Sequence, residues 1–416
     1  LGQYADQGVK LLAMDIVDDP SGKSHLPDGT SFYNIQRADQ RTALLALEPF
    51  DICLLSNYPS VHLATALQFD FFTERFIFPK PVDSHIQLLK TVREGRDRTF
   101  ASIVSKMLVH DHYRNKPLVA RLKSLLPTLH GKYGFIREFR IYITERRSAQ
   151  DEWQRKGALD DGLILDLAPH AISVLMELLP KRLRWESDEG HSFERLDIRF
   201  DDVRGCYRAR DNFSILRDGA ETFAAIDLLG TEIIDFFPGG DHQPLRLQPR
   251  DFHILIVVGK GTSIDTSANG LDLKSIQLTF DGNDVIGNFD TNAIGGVIDD
   301  DIVNRLTEKV DPRQRGLNLP FQRLGKLEFD FESLSASAES IVADFQGFDE
   351  AYQVTAILSQ ALQHDSAKII STHYPPGIPS SDLVNRLLSR GLDQRWQHPG
   401  PLNQMVLGRP PVDAID

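Results

Sequence analysis

Cysteine is scarce. The two present, Cys53 and Cys206, lie too far apart to make a disulfide framework or a zinc-ligand spacing. A reducing, cytoplasmic setting is therefore expected. No apolar run approaches the roughly 20 residues a membrane-spanning helix needs, and no basic-then-apolar leader opens the chain. Basic charge is also short: 46 Lys+Arg stand against 59 Asp+Glu, a net charge of -13. Such a chain repels phosphate backbones, which argues against a nucleic-acid partner. A small phosphorylated ligand stays open, because a few local cations suffice for it. Repeats and low-complexity tracts are missing too. What is there is 416 residues, 41% hydrophobic and 25% charged. That is a globular composition, and the length favours two domains over one core.

The apolar pattern divides the chain. Residues 9–14 (VKLLAM), 50–56 (FDICLLS) and 76–78 read as short buried strands. Helical patterns at 41–47, 61–69 and 84–94 separate them. Strands alternating with helices at this spacing predict a parallel, doubly wound α/β sheet. Residues 100–108 read as a further strand, and 116–129 as a helix broken at 131–134. Residues 135–144 (FIREFRIYIT) alternate and predict a half-buried strand. A helix is expected over 166–179, with Pro169 in its first turn. From about 196 to 287, strand follows strand, predicting an α+β part with a large, mostly antiparallel sheet. Helix returns over 336–363, and a Pro/Gly-rich tail follows from 371. The expected division is 1–130, 131–370 and the tail 371–416. An exposed apolar face on the large sheet would support a homodimer or homotetramer.

Four stretches carry chemistry-bearing residues. Lys80 stands between two prolines after a short strand, either on a rigid turn facing a ligand crevice or as a solvated loop lysine. Asp166 and His170 are four apart on a helix, a general-base arrangement or a surface ion pair. Residues 111–116 (DHYRNK) pack an acid, an imidazole, a phenol and cations, which suit a phosphate group or simply a polar loop. His110 and His112 would share a strand face, but no third ligand stands near, so no metal site is expected. Lys260 sits between Gly259 and Gly261 after an apolar strand. The third glycine of a dinucleotide fingerprint is absent there, which leaves a turn lysine.

Taken in order, these stretches resemble the glucose-fructose oxidoreductase and inositol dehydrogenase family (Gfo/Idh/MocA). The resemblance runs through Pro59 and His62, then Pro79-Lys80-Pro81, then Asp166 to His170. Asp111-His112-Tyr113, Lys116, residues 221–225 and residues 252–261 are also similar to segments of glucose-6-phosphate dehydrogenases. Together the match spans roughly residues 9–300. It departs at Pro79, where the family has Glu, and at Ala168, where many relatives carry Gly. No G-x-G-x-x-G precedes Val9, so a Rossmann-like domain would have its first strand and glycine loop before Leu1.

The resemblance implies a nicotinamide-dependent oxidoreductase acting on a sugar CH–OH group. His170 would be the general base, supported by Asp111, with Asp166 near the same hydroxyls and Lys80 positioning substrate and cofactor. His112, Tyr113, Lys116 and Lys260 would hold a phosphate. Asp15, Ser56, Asn57, Pro59, His62 and Lys80 would hold NAD or NADP. An acid at Asp15 repels a 2′-phosphate and so favours NAD. Two other readings stay open: a dehydrogenase of an unphosphorylated sugar or cyclitol, and an inactive relative serving as a binding or scaffold protein.

Overall fold

The computed structural model describes residues 12–15, 31–34, 37–47, 50–55, 61–96, 98–145, 162–211, 220–238, 243–260, 274–296, 345–364 and 369–372. The first part alternates strand and helix: β1 (Leu12–Asp15), β2 (Ser31–Asn34), α1 (Ala38–Leu45), β3 (Phe50–Leu54), α2 (His62–Phe69), β4 (Thr73–Phe78), α3 (Ile86–Arg93), α4 (Ala101–Lys106) and β5 (Met107–Val109). Every strand pair here is parallel, β1 with β2, and β3–β4–β5 in that order. Parallel neighbours need a crossover, which α2 supplies between β3 and β4, and α3 with α4 between β4 and β5. The carboxyl half of central β4, Phe76 to Phe78, is apolar on both faces because both are covered, whereas Glu74 and Arg75 before it are exposed. Phe76 and Phe78 pack with Leu63, Ala66, Leu89 and Val92, while Ile77 meets Leu108 and Phe345 on the other side. Burying each such side chain contributes about 1.5–3 kcal/mol.

Residues 100–108 are not one strand. A short turn of 3-10 helix and α4 occupy most of them, and only Met107–Val109 is extended. Buried Phe100 and Ile103, with Ala101 and Ser105 exposed, follow a helical period, and that spacing outweighs the apolar run.

The second part follows as α5 (Pro117–Tyr133), β6 (Glu138–Glu145), α6 (Gly162–Leu178), β7 (Leu183–Glu186), β8 (Ser192–Asp211), β9 (Ala220–Phe237), β10 (Leu245–Arg246), β11 (Arg250–Lys260), β12 (Lys274–Thr279), β13 (Asp284–Asn288) and β14 (Ile294–Gly296). Helix α7 (Phe348–Gln363) and β15 (Ile369–Thr372) complete the described chain. Ten strands form one sheet in the order β14-β13-β12-β6-β11-β9-β8-β15, with β10 on β9 and β7 on β8. It is mostly antiparallel, as expected. The exceptions are the parallel pairs β6–β11 and β8–β15. The chain is thus a Rossmann-like parallel sheet joined to a large mixed sheet, and no described helix is long and apolar enough to cross a membrane.

Helices α5 and α6 cover one face of the large sheet. Ile164, Ile172, Leu175 and Leu178 of α6 join Ile141, Ile226, Ile254 and Ile276 in its core. Helix α6 starts at Gly162, earlier than expected, so Pro169 lies in its interior rather than its first turn. Pro169 therefore removes one ladder hydrogen bond just before His170. Helix α5 runs through Gly131 and stops at Gly134, whose φ is +81°. Gly131 is required by contact: a Cβ there would lie 2.2 Å from the carbonyl oxygen of Glu186 in β7. Gly131→Ala is expected to destabilise the protein by about 1–3 kcal/mol through this overpacking, read as a lower urea midpoint.

Strand β6 is not half-buried. It lies centrally, between β11 and β12, and its second face holds buried Arg140, Tyr142 and Thr144 beside Ser275 and Gln277. Arg140 is satisfied there by two hydrogen bonds to Glu138, of 2.7 and 2.8 Å. Leu255 and Val257 of β11 are buried beside Arg140 and Tyr142, so at these strands the second face is covered and mixes polar with apolar side chains.

Helix α7 belongs to both cores. Phe348 and Ala351 pack with the parallel sheet, whereas Val354, Ile357 and Leu358 pack with the large one. Gln346, just before it, exchanges backbone hydrogen bonds with Val109 of β5. The segment just before α7 thus returns to the carboxyl edge of the parallel sheet.

Candidate functional site

Lys80 leaves the carboxyl end of β4 on the turn Pro79-Lys80-Pro81. His62 of α2 holds this turn from inside the core. It is fully buried, and its Nδ1 lies 3.2 and 3.1 Å from the carbonyl oxygens of Pro81 and Val82. Carbonyl oxygens only accept, so Nδ1 carries the proton and donates.

The neighbouring strand β5 ends in a tight turn built on Asp111. Its Oδ1 accepts from the backbone N–H groups of Tyr113 at 2.8 Å and Arg114 at 3.2 Å. An aspartate side chain bonding its own backbone two residues on is a standard turn former. Pro117 then starts α5 at a position where its missing N–H costs nothing. One oxygen of Asp111 is used by this turn, and the other is left for chemistry.

That second oxygen, Oδ2, lies 3.3 Å from Lys80 Nζ and 3.1 Å from His170 Nδ1 of α6. The Lys80 and Asp111 side chains are 1% and 0% exposed, and that of His170 is 15% exposed. Burial works against the Asp111 charge. His170 and Lys80 outweigh it and hold the carboxyl well below the usual carboxylate range. Burial pushes the Lys80 ammonium down to about 8, with Asp111 opposing the shift. His170 turns Nδ1 toward this carboxylate, so a proton held on Nδ1 leaves Nε2 as the acceptor. Lys80 has three N–H donors and, among the described residues, one ion-pair partner, so it can also donate to an oxygen placed beside Nε2. Three elements, β4, β5 and α6, thus deliver a cation, a carboxylate and an imidazole to one buried spot.

The other expected site residues fall in different places. Asp166 lies one turn before His170 on α6 and is half-buried, but the carboxylate paired with His170 is that of Asp111. His112 packs its ring 4.6 Å from that of His170, and burial with this neighbour pushes it down to about 3, a neutral imidazole. Tyr113 is buried between the rings of His170 and Phe289. Lys116 bonds the carbonyl oxygen of Phe289 at 3.1 Å, lies over the Tyr113 ring at 4.7 Å, and approaches Asp290 at 3.9 Å. Lys260 ends β11 opposite Glu145 instead of standing on a hairpin turn, and its side chain lies outside the described residues. So do Ser56, Asn57, Pro59 and the side chain of Asp15, the last residue of β1.

Strand β5 stops at Val109, so His110 and His112 do not share a strand face. Ligand atoms of Asp111, His112 and His170 do converge within 4.8 Å of one another. The Lys80 ammonium on the same Asp111 oxygen opposes a second cation there, and the cluster reads instead as a proton relay. Cys53 is no nucleophile, since burial pushes its thiol up to about 11.

Sequence reasoning missed Arg114, Glu177 and Glu350. Arg114 Nε bonds Glu177 of α6 at 2.6 Å, and its Nη1 reaches Glu350 of α7 at 3.4 Å. The legible signal was the spacing of His170 and Glu177, seven apart and so on one helix face.

No protein-family model matches the sequence, and no curated protein matches it. Solved structures do match. The WlbA dehydrogenase from Bordetella pertussis, solved in complex with NADH and UDP-GlcNAcA, aligns with a TM-score of 0.53 at 13% identity, over 88% of this chain and 89% of that one. GenD2 from gentamicin A biosynthesis, in complex with NAD, aligns with a TM-score of 0.50 at 11% identity, over 86% of each chain. At such identities the likeness is one of fold, and it places this chain among proteins that pair a Rossmann-like parallel sheet with a large mixed sheet.

Proposed function

We propose that the protein is a nicotinamide-dependent dehydrogenase of the Gfo/Idh/MocA type, oxidising a ring hydroxyl of an unphosphorylated sugar or cyclitol. The observation that carries this reading is the buried contact of Lys80, Asp111 and His170 beside the carboxyl ends of β4 and β5. Ligands of open α/β sheets bind outside the carboxyl ends of their strands. Two proteins of the same fold, WlbA and GenD2, hold NADH or NAD. Lys116 argues against a phosphorylated sugar, because its ammonium is already engaged by Phe289 and Asp290.

The donor set suits such a cofactor: a buried lysine with spare N–H groups stands next to an imidazole whose Nε2 is an acceptor. Lys80 and the segment around Ser56, Asn57 and Pro59 would hold it, with Asp15 on the adenosine ribose and NAD preferred over NADP. His62 would act through the Lys80 turn. A bound nicotinamide would supply the acceptor for the hydride of the carbinol carbon. His170 Nε2 takes the proton of the hydroxyl on that carbon. Asp111, ionised and 3.1 Å from Nδ1, stabilises the imidazolium that results. Lys80 donates to the same oxygen and lowers the cost of charge developing on it. Asp166, a turn before His170, would meet a neighbouring hydroxyl.

The test is reduction of NAD by the full chain with myo-inositol, UDP-sugars, free hexoses and glucose 6-phosphate. Turnover of an unphosphorylated ring alcohol, with glucose 6-phosphate inert, is expected. A preference for glucose 6-phosphate that Lys116→Ala abolishes would restore the phosphate reading. Failure with every substrate and no cofactor binding would leave the inactive relative.

A further inference from the structure

Arg114 lies in the Asp111 turn, and its guanidinium bonds Glu177 and Glu350 instead of Asp111, although the charges of Arg114 and Glu350 also reach Lys80 with opposite effects. Its backbone N–H donates to Asp111 Oδ1 at 3.2 Å. Its guanidinium bonds Glu177 at 2.6 Å and Glu350 at 3.4 Å, and the Arg114 and Glu177 side chains are only 12% and 18% exposed. Lys123 of α5 grips the other oxygen of Glu177. Burial works against the Glu177 charge, but Arg114 and Lys123 outweigh it and hold the carboxyl below its ordinary range.

Glu177 lies seven residues after His170 on α6. Seven residues are two helical turns, about 10.5 Å of rise, and their side chains leave the helix within about 20° of each other. The bond that Pro169 removes lies before this span. From Pro169 onward the helix is further tied by Ser173 Oγ, which donates to the Pro169 carbonyl at 2.7 Å. A grip on Glu177 is therefore carried to His170 by an intact length of helix.

We infer that Arg114 is a positioning residue: by clamping Glu177 it sets the approach of α6 to the β5 turn, and thereby the contact of Asp111 with His170. Glu350 extends the clamp to α7, the helix shared by the two cores. The inference rests on the dehydrogenase reading for its kinetic consequence, but its structural content stands apart from it.

The experiment compares wild type with Arg114→Met, Glu177→Gln, Arg114→Lys and the swapped pair Arg114→Glu with Glu177→Arg. Three readouts are kcat against KM, the Kd for NADH, and the downfield proton signal of the imidazole N–H facing a carboxylate. That signal is assigned by its loss in both His170→Gln and Asp111→Asn. Arg114→Met and Glu177→Gln are expected to lower kcat on the order of 10- to 100-fold, as small misplacements of reacting groups do. KM and the NADH Kd should stay within about twofold, and the downfield signal should broaden or vanish. Arg114→Lys, which keeps the charge but not the fork, should recover part of the rate, and the swapped pair should recover the signal. An unchanged signal and kcat in folded Arg114→Met would overturn the inference. So would a fall in kcat that tracks lost thermal stability while the signal persists. If wild type binds no nicotinamide cofactor, the dehydrogenase reading fails, and the signal alone decides on the clamp: lost in Arg114→Met supports it, and retained overturns it.

Discussion

Replacing His170 with alanine is expected to reduce turnover by about 10²- to 10⁴-fold, the usual contribution of a positioned base. The NADH Kd and the KM for the ring alcohol should stay close to wild type, because the lost interaction forms only as the hydroxyl proton moves. The fold should survive, since the His170 side chain is 15% exposed and α6 is held by its apolar residues. Steady-state kinetics with a urea unfolding curve check both halves. Near-wild-type turnover by folded His170→Ala would remove the histidine from the reaction and leave Lys80 as the candidate base.

Asp111→Asn should do more, because Asp111 serves turn, lysine and histidine together. An asparagine oxygen still accepts from Tyr113 and Arg114, but the counter-charge of a fully buried lysine is gone. Removing one partner of a buried pair costs about 3–5 kcal/mol. Turnover should fall at least as far as in His170→Ala. The pH dependence carries a sign. The Asp111 carboxyl is depressed in the folded state, so its stabilisation is present above its unfolded value near 3.9 and is lost as pH falls through the lower folded value. The stability gap between wild type and Asp111→Asn should therefore narrow in acid below about pH 4. Lys80 is also depressed, to about 8, which is unfavourable for an ammonium. That cost is full below about 8 and is relieved as pH rises toward 10.5, so wild type should gain stability across that window. Without Asp111 the lysine shifts further down, and the window opens at lower pH. Urea midpoints measured from acid to alkaline pH would check these directions. A constant gap between the two proteins at every pH would contradict them.

The alternation of β3, α2, β4, α3 and β5 was legible because buried parallel strands leave continuous apolar runs between amphipathic helices. The large sheet was legible for the same reason in its antiparallel form. Residues 100–108 were misread because apolar content masked the helical spacing of Phe100 and Ile103. The burial of Arg140 and Tyr142 could not be read, since alternation reports polarity and not what covers the polar face. Lys80, Asp111 and His170 were each weak alone. Their convergence depends on β4, β5 and α6 meeting at one edge, and only the resemblance to a known family linked them beforehand. Arg114 stood in plain view, but its partners Glu177 and Glu350 are 63 and 236 residues away. Pairing at such separations is a property of the fold, not of any local pattern. Lys116 shows the same limit: its contacts with Phe289 and Asp290, brought in by the large sheet, are not foretold by its neighbours in sequence.

The most direct test of the central claim is a titration of the full-length protein with NADH and with NADPH, following nicotinamide fluorescence. The account predicts saturable NADH binding that is tighter than NADPH binding, and weakened by Lys80→Ala but not by His170→Ala. A folded protein that binds neither nucleotide would contradict the dehydrogenase reading and leave the Lys80–Asp111–His170 cluster without the reaction assigned to it.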